Sequence, residues 1–411
     1  MNQCDNSLWT AEHAVPTQYP WLDHAENCDI LVIGGGVCGA MTAYRLAQDG
    51  VNTVLVAADK VGYGETSKAP AFISYETEKT IEELSQCVGQ DKALECYTIT
   101  KQAMESFDAL MSELGENVGY TKRDSLYFSN NPESFESMKR EYHLRKHNGF
   151  PVEFIDGRNS VDDFSFPIDS GIYTKGLAAT FNPYLLTHAL IKKACELGAR
   201  AYENTGIVSV DDKSENHIAF TDTKQMITTK KIVIATGYDA NGYIGGICTT
   251  RTLFNIATKP LQNTVCGWKN SCVIKNDDAL AIYMSVTDDN RIIISKMESG
   301  LLTGEGKAMG CIPVKPLENR KYISLENEMR KMLASQCDIV PQYRYTSCLK
   351  STKDGLPMIG EHDNFEEYYF ALCAGVGGIL FAEIAGRYIT QLNKGESPQS
   401  VELFCPNRFS K

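Results

Sequence analysis

Residues 29–64 constrain this chain more than any other stretch. Asp29-Ile30-Leu31-Val32-Ile33 is a short apolar run with β-branched residues, the pattern of a buried strand. It runs directly into Gly34-Gly35-Gly36-Val37-Cys38-Gly39, which satisfies G-x-G-x-x-G with Gly34, Gly36 and Gly39 at the fixed positions. From Ala40 to Gly50 the pattern turns helical, with Ala43, Leu46 and Ala47 on one face and Gly50 placed to end the helix. Thr53-Val54-Leu55-Val56 follows as a second, parallel strand. In this βαβ setting Gly34 permits the tight turn, Gly36 lets a pyrophosphate reach the backbone, and Gly39 lets helix and strand pack closely. The amides at the helix N-terminus then face a phosphate. The stretch predicts dinucleotide binding; the alternative is a glycine-rich turn in an ordinary α/β domain.

One position departs from this pattern. Dinucleotide folds place Asp or Glu at the end of the second strand to hydrogen-bond the adenosine ribose. Ala57 holds that position here, and Asp59 stands two residues beyond it.

At 411 residues the chain exceeds one simple core, so two domains, or one with a large insertion, are expected. The net charge of -12 argues against nucleic acid or an anionic membrane surface as partner. No apolar run is long enough to span a bilayer. Met1 to Glu26 is polar and lacks the basic and apolar regions of a signal peptide. None of the 14 cysteines forms C-x-x-C, a poor arrangement for structural zinc or an iron–sulfur cluster, so they read as mostly reduced, buried thiols of a cytoplasmic protein.

Trp9, Tyr19 and Trp21 in residues 1–27 suggest an extended arm packing its aromatics on the body. Gly62-Tyr63-Gly64-Glu65-Thr66-Ser67-Lys68 suits either a loop passing a phosphate or a solvent loop. Helical periodicity covers Ile81 to Val88, Ala93 to Leu114 and Pro132 to His147; strands are expected at Asp124 to Phe128 and Gly171 to Thr174. Asn182-Pro183 opens another helix, and His188 within it reads as a packed or surface residue. Gly206 to Val210 and Ile218 to Thr221 read as paired strands. Lys231 to Ile234 is a buried strand entering Ala235-Thr236-Gly237, a turn placed where open α/β sheets bind ligands. Strand-like runs at Asn255 to Thr258, Ala279 to Val286 and Arg291 to Ser295 indicate an antiparallel sheet and hence a second domain; Ile323 to Leu333 reads as a helix. Near the end, strand Tyr368 to Leu372, the turn Gly375-Val376-Gly377-Gly378 and a helix from Ile379 make a second glycine-rich strand–turn–helix, able to bring another helix N-terminus to the same cofactor.

Four pieces in this order, IGGGVCG, GYGETS, VIATG and TKDGLPMIG with YFALCAGVGGI, resemble the flavoprotein family of glycine and D-amino-acid oxidases, which includes sarcosine oxidase. The resemblance covers nearly the whole chain, and the lead-in SLWTAEHAVPTQYPWL resembles that of bacterial members. It implies an α/β fold: a Rossmann-like, discontinuous FAD-binding domain (28–105, 177–243 and 348–411) and an α+β substrate domain (106–176 and 244–347) on an antiparallel sheet facing the flavin. It implies FAD as cofactor, carrying the redox chemistry while the protein positions the substrate, and oxidation of a C–N bond in a small amine or amino acid by hydride transfer to flavin.

Carried over residue by residue, the resemblance assigns Gly34, Gly36, Val37, Cys38 and Gly39 to the pyrophosphate, and Thr66, Ser67 and Lys68 to the phosphates and ring. It assigns the Val208 backbone to adenine, Ala235, Thr236 and Gly237 to the cofactor wall, and Gly375, Gly377, Gly378 and Ile379 to the flavin's pyrimidine end. In sarcosine oxidases a cysteine just before the loop corresponding to TKDG carries FAD covalently. Cys348 stands near that point, displaced by one residue, and reads either as a covalent flavin site or as an ordinary buried cysteine. Lys296 and Tyr283, on the expected substrate sheet, are the candidate contacts for a substrate carboxylate.

The departures cluster at the expected cofactor and substrate face. Besides Ala57, Ser295-Lys296 replaces Gly-Gly, Ser285 replaces Arg, and Cys373-Ala374 with Val376-Gly377 breaks a more uniform glycine pattern. They leave two alternatives: an FAD-binding subunit without its own turnover, and a flavin enzyme that oxidises a hydroxy acid. The electron acceptor depends on pocket shape and is not legible in the residues.

Overall fold

In the computed structural model, which describes residues 7–157, 163–212, 215–237, 247–263, 265, 267–298, 315–333, 339–373 and 375–409, the strands divide into two sheets. In chain order they are β1 (Glu26–Ile33), β2 (Thr53–Val56), β3 (Phe72–Ser74), β4 (Thr121–Ser129), β5 (Val152–Asp156), β6 (Ser170–Thr180), β7 (Arg200–Tyr202), β8 (Ile207–Asp211), β9 (His217–Thr221), β10 (Met226–Ile234), β11 (Cys248–Thr258), β12 (Val273–Asn276), β13 (Ile282–Val286), β14 (Ile292–Glu298), β15 (Pro341–Thr352), β16 (Met358–His362) and β17 (Phe365–Leu372). The helices are α1 (Leu8–Glu12), α2 (Val37–Gln48), α3 (Ile81–Val88), α4 (Gln90–Leu114), α5 (Phe135–His147), α6 (Pro183–Glu196), α7 (Lys315–Met332) and α8 (Gly378–Asn393).

The first sheet runs β16-β17-β10-β1-β2-β7, with β9 and β8 added beside β10. β17, β10, β1, β2 and β7 are parallel, as a βαβ beginning requires. Such strands are covered on both faces, which is why Ile30 to Ile33, Val54 to Val56 and Ile232 to Ile234 are near-continuous apolar runs. The second sheet runs β15-β11-β14-β13-β12-β4-β6-β3, with β5 beside β6, and is antiparallel except where β12 meets β4. Four of its strands, β3, β5, β12 and β15, are absent from the sequence reading. β12 is only four residues long, and β15 alternates buried residues with half-exposed polar ones.

Two expected domain limits cut strands of this second sheet, and one strand assigned to the FAD-binding domain belongs to it. β3 lies inside 28–105 yet pairs with β6, while β6 continues past 176 and β15 spans 348. α7 starts at Lys315, well before Ile323. Along the arm, Leu8–Glu12 is a short helix rather than extended chain. Trp9 is buried and donates to the Ala69 carbonyl at 3.2 Å, whereas Trp21 is 57% exposed. Among the described residues no helix is long and apolar enough to cross a membrane.

Packing of α8 on α2 brings the chain's last third to its beginning. A Cβ at Gly386 would lie 3.1 Å from the Met41 carbonyl oxygen, so glycine permits the close approach. At the same contact Arg45 pairs with the fully buried Glu383 at 2.6 Å, and Ser106 donates to the same carboxylate at 2.6 Å. A buried carboxylate needs such partners to remain ionised.

Candidate functional site

The glycine motif folds as its spacing requires. Gly34 has φ of +131°, and a Cβ there would come within 2.3 Å of the Ala235 carbonyl oxygen. A Cβ on Gly39 would meet the Gly34 oxygen at 1.9 Å, which is the close helix–strand packing expected of that position. α2 begins at Val37 rather than Ala40, so Cys38 and Gly39 lie in its first turn. That turn's amides have no partner within the helix. The Val37 N–H donates to Thr66 Oγ1 at 3.1 Å, so Thr66 belongs to the glycine loop. Ser67 spends its hydroxyl on the Tyr63 and Gly64 carbonyls, and Lys68 lies 3.6 Å from Glu65.

After β2, Ala57 is buried, its Cβ seated where any side chain on Gly35 would be, at 2.4 Å. Asp59 is exposed and caps the Lys60 N–H at 2.8 Å. Val208 is 65% exposed and sits at the β8–β9 register shift, unpaired between the Ile207–Thr221 and Ser209–Phe220 pairs. A bulge of this kind releases backbone groups from the ladder. After β10, Ala235 donates its N–H to the Ile33 carbonyl, Thr236 carries a buried hydroxyl with no partner among the described residues, and Gly237 takes φ of +59°.

The second glycine turn lies against the first. Gly375 has φ of +86°, and a Cβ on Gly378 would come within 2.7 Å of the Cys373 oxygen. Gly377 caps α8, and Ile379 is buried in the same core as α2. The Cys373 thiol lies beside that of Cys38; burial and this neighbour push Cys373 well up, while the hydrogen bond from Cys373 lowers Cys38. Ala374 lies outside the described residues.

On the second sheet one register row crosses six strands: Tyr127, Lys275, Tyr283, Ser295, Asn255 and Tyr345. Residues in one row share a face because side chains alternate with period two. Near this face Phe72, Ser74, Glu76, Thr77, Glu78, Val273, Lys275, Tyr283, Val376 and Gly377 enclose a recess of about 380 Å3, counting its open mouth. Val376 and Gly377 belong to the second glycine turn, so the recess lies where that turn meets the row. Tyr283 is 2% exposed, packs on Phe72 with centroids 5.9 Å apart, and is held protonated by burial. Lys275 donates to the Thr77 and Glu78 carbonyls at 3.2 and 3.1 Å and lies 5.3 Å from the Tyr127 ring; burial lowers its pKa.

The structure separates the two catalytic candidates. Tyr283 lines the recess, but Lys296 pairs with Ile282 in the neighbouring row and so faces the other way. Its ammonium lies 2.7 Å from Glu328 on α7. Cys348 is likewise out of step: it pairs with Thr252, one residue from Leu349, which is the one that packs with Tyr283 and Phe72. Its N–H donates to Glu65 at 2.7 Å from the sheet's edge. The altered positions Ser295 and Ser285 have structural uses. Ser295 donates to Asn255 at 2.6 Å, and Ser285 to the Pro70 carbonyl at 3.1 Å. Glu76, Glu78 and Lys275 escaped the sequence reading, since an isolated Glu-Thr-Glu after a strand looks like any polar loop. The buried Arg145, in ion pairs with Glu76 and Glu141, was the one available signal within an otherwise solvated helix pattern.

His188 is buried against Tyr184 and Tyr19, with neither ring nitrogen partnered among the described residues; desolvation pushes its pKa down to about 4. Of the two sequence readings, packed or surface, it is packed.

Known proteins resemble this chain in sequence and in fold. A glycine oxidase of Geobacillus kaustophilus is 23% identical over 382 residues, covering 89% of this chain and 92% of that protein. The gamma-glutamylputrescine oxidoreductase of Escherichia coli is 20% identical, covering 97% of this chain and 91% of that protein. A crystal structure of glycine oxidase from Geobacillus kaustophilus has a TM-score of 0.74 at 18% identity, covering 93% and 99% of the two chains, and so shares the fold. The sequence profile of the FAD dependent oxidoreductase family, DAO, matches residues 29–392. With both glycine turns and the second sheet inside that span, the chain belongs to the DAO family of FAD dependent oxidoreductases.

Proposed function

We propose that this protein oxidises the C–N bond of a small amine or amino acid, holding it in the recess between Tyr283 and the second glycine turn. The bound FAD would supply the hydride acceptor. The observation that carries the reading is the recess itself, lined on one side by Val376 and Gly377 and on the other by Lys275 and Tyr283.

The residues present fit FAD. The buried hydroxyl of Thr236 beside Gly34 lacks a partner among the described residues, and the Gly36 position is open apart from Thr66 Oγ1. Gly34, Gly36, Val37, Cys38 and Gly39 would hold the pyrophosphate through amides and the α2 N-terminus. Thr66 would brace that loop, with Ser67 and Lys68 beside it, and Val208 would offer its bulged backbone to adenine. Ala235, Thr236 and Gly237 would form the wall, and Gly375, Gly377, Gly378 and Ile379 would face the flavin. Ala57 removes the usual ribose carboxylate, which predicts weaker adenosine binding. Cys348 faces away from the recess, which favours non-covalent flavin. Orientation of the substrate in the recess is the protein's own contribution to rate.

The test is anaerobic bleaching of the purified holoprotein's flavin absorbance by a panel of amines, amino acids and hydroxy acids. Bleaching by a nitrogen compound, with a carbonyl product after imine hydrolysis, supports the reading. Bleaching by hydroxy acids alone would overturn it.

A further inference from the structure

We propose that Glu76 and Glu78 hold a second, non-reacting cationic nitrogen of the substrate, which makes the substrate a diamine or substituted diamine rather than an α-amino acid. This inference rests on the C–N oxidation proposed above and narrows its substrate class.

Both carboxylates line the recess, and both are held in place from other elements. Glu76 pairs with Arg145, a guanidinium 1% exposed that also bonds Glu141 at 2.8 Å and the Tyr75 hydroxyl at 2.9 Å. Glu141 in turn accepts the Ile81 and Glu82 amides at the start of α3, each at 3.0 Å. Glu78 accepts from Arg251 at 3.2 Å and from Ser351 at 2.7 Å. An ionised carboxylate offers about four lone-pair sites, so each retains acceptor capacity after these bonds. Neither arginine lines the recess.

Tyr283 points independently to a ligand. It is 2% exposed, it lines the same recess, and its hydroxyl has no hydrogen-bond partner among the described residues. The oxygen is not sealed in the core as the Tyr345 hydroxyl is, so it opens to the recess. Lys275, the lysine in the lining, directs its protons to two backbone carbonyls and forms no ion pair among the described residues. Burial lowers its pKa and outweighs the opposing pull of Glu76 and Glu78.

Two carboxylates in one recess stabilise an ammonium and repel a substrate carboxylate. Hydride loss needs a neutral amine, because the nitrogen lone pair drives it. A nitrogen kept protonated by Glu76 and Glu78 is therefore not the one oxidised, and a second nitrogen must lie along the same substrate.

The probes are 1,4-diaminobutane, n-butylamine and butyrate, titrated into the holoprotein while the flavin visible spectrum is recorded. The expected order is 1,4-diaminobutane tightest, n-butylamine weaker by about tenfold, and butyrate weakest, since a charge-assisted hydrogen bond accounts for a difference of this size. Glu78→Gln, with flavin content unchanged, should remove the advantage of the diamine over the monoamine. Equal binding of the two amines, tighter binding of butyrate, or no response to the diamine would overturn the proposal, and the wild-type comparison alone suffices for each. Flavin bleaching by an amino acid would leave C–N oxidation standing while this narrower reading fell.

Discussion

Lys275 and Tyr283 stand directly opposite each other on β12 and β13, and both face the recess. Lys296 is one register row away and is bound to Glu328 on the other side of the sheet. Tyr283→Phe is expected to slow flavin reduction per unit substrate by about tenfold, the effect of one lost hydrogen bond in a water-poor site. Lys296→Met should change it by less than about twofold, because a partly exposed ion pair distant from substrate contributes little. Rapid-mixing reduction kinetics with any bleaching amine compare the two, and a larger loss for Lys296→Met would reverse the assignment.

Thr66 Oγ1 accepts the Val37 N–H at the start of α2, linking the loop after β2 to the glycine motif. Thr66→Val keeps the shape and removes the acceptor. FAD affinity should weaken by about tenfold, consistent with one unsatisfied amide in a buried site. Equilibrium dialysis of flavin against the apoprotein measures it.

Gly39 has no room for a side chain, since its Cβ would lie 1.9 Å from the Gly34 oxygen, whereas Gly64 has nothing within 4 Å. Gly39→Ala should cost about 2–3 kcal/mol through overpacking and lower flavin occupancy. Gly64→Ala should be close to neutral in the same thermal melt.

Arg145 is buried with both of its carboxylate partners, while Arg140 is 58% exposed beside Glu82. Removing one member of a buried network strands the others, so Arg145→Met should cost about 3–5 kcal/mol. Arg140→Met should cost less than about 1 kcal/mol. Urea unfolding of the two variants against wild type checks the contrast.

His188 carries the pH dependence that follows most directly from burial. Its folded pKa is about 4 against 6.5 in an unfolded chain. Below pH 6.5 the unfolded chain takes up a proton that the folded one refuses until about pH 4, so stability is lost as pH falls through this window. The loss reaches roughly 3 kcal/mol at the lower end. Melting temperature measured from pH 7 to 4 should fall less steeply in His188→Phe; an unchanged slope would mean that other groups set it.

Much of the cofactor half was legible in the chain because its interactions are local. Strand, glycine turn, helix and second strand lie within some thirty residues, and each leaves its own periodicity. The substrate face was only half legible. Tyr283 was found from its place in a strand, but choosing Lys296 over Lys275 needed the register, and β12 is too short to announce itself.

Composition and local pattern determined the βαβ unit, the two glycine turns and the presence of a second, antiparallel sheet. Tertiary structure alone decided which face each strand presents, since a step of one residue reverses every side chain. It also decided that Glu76, Glu78, Arg145, Arg251, Lys275 and Ser351 form one constellation. Their segments are joined by sheet pairing and buried ion pairs between residues far apart in the chain, and no local periodicity records such distant contacts.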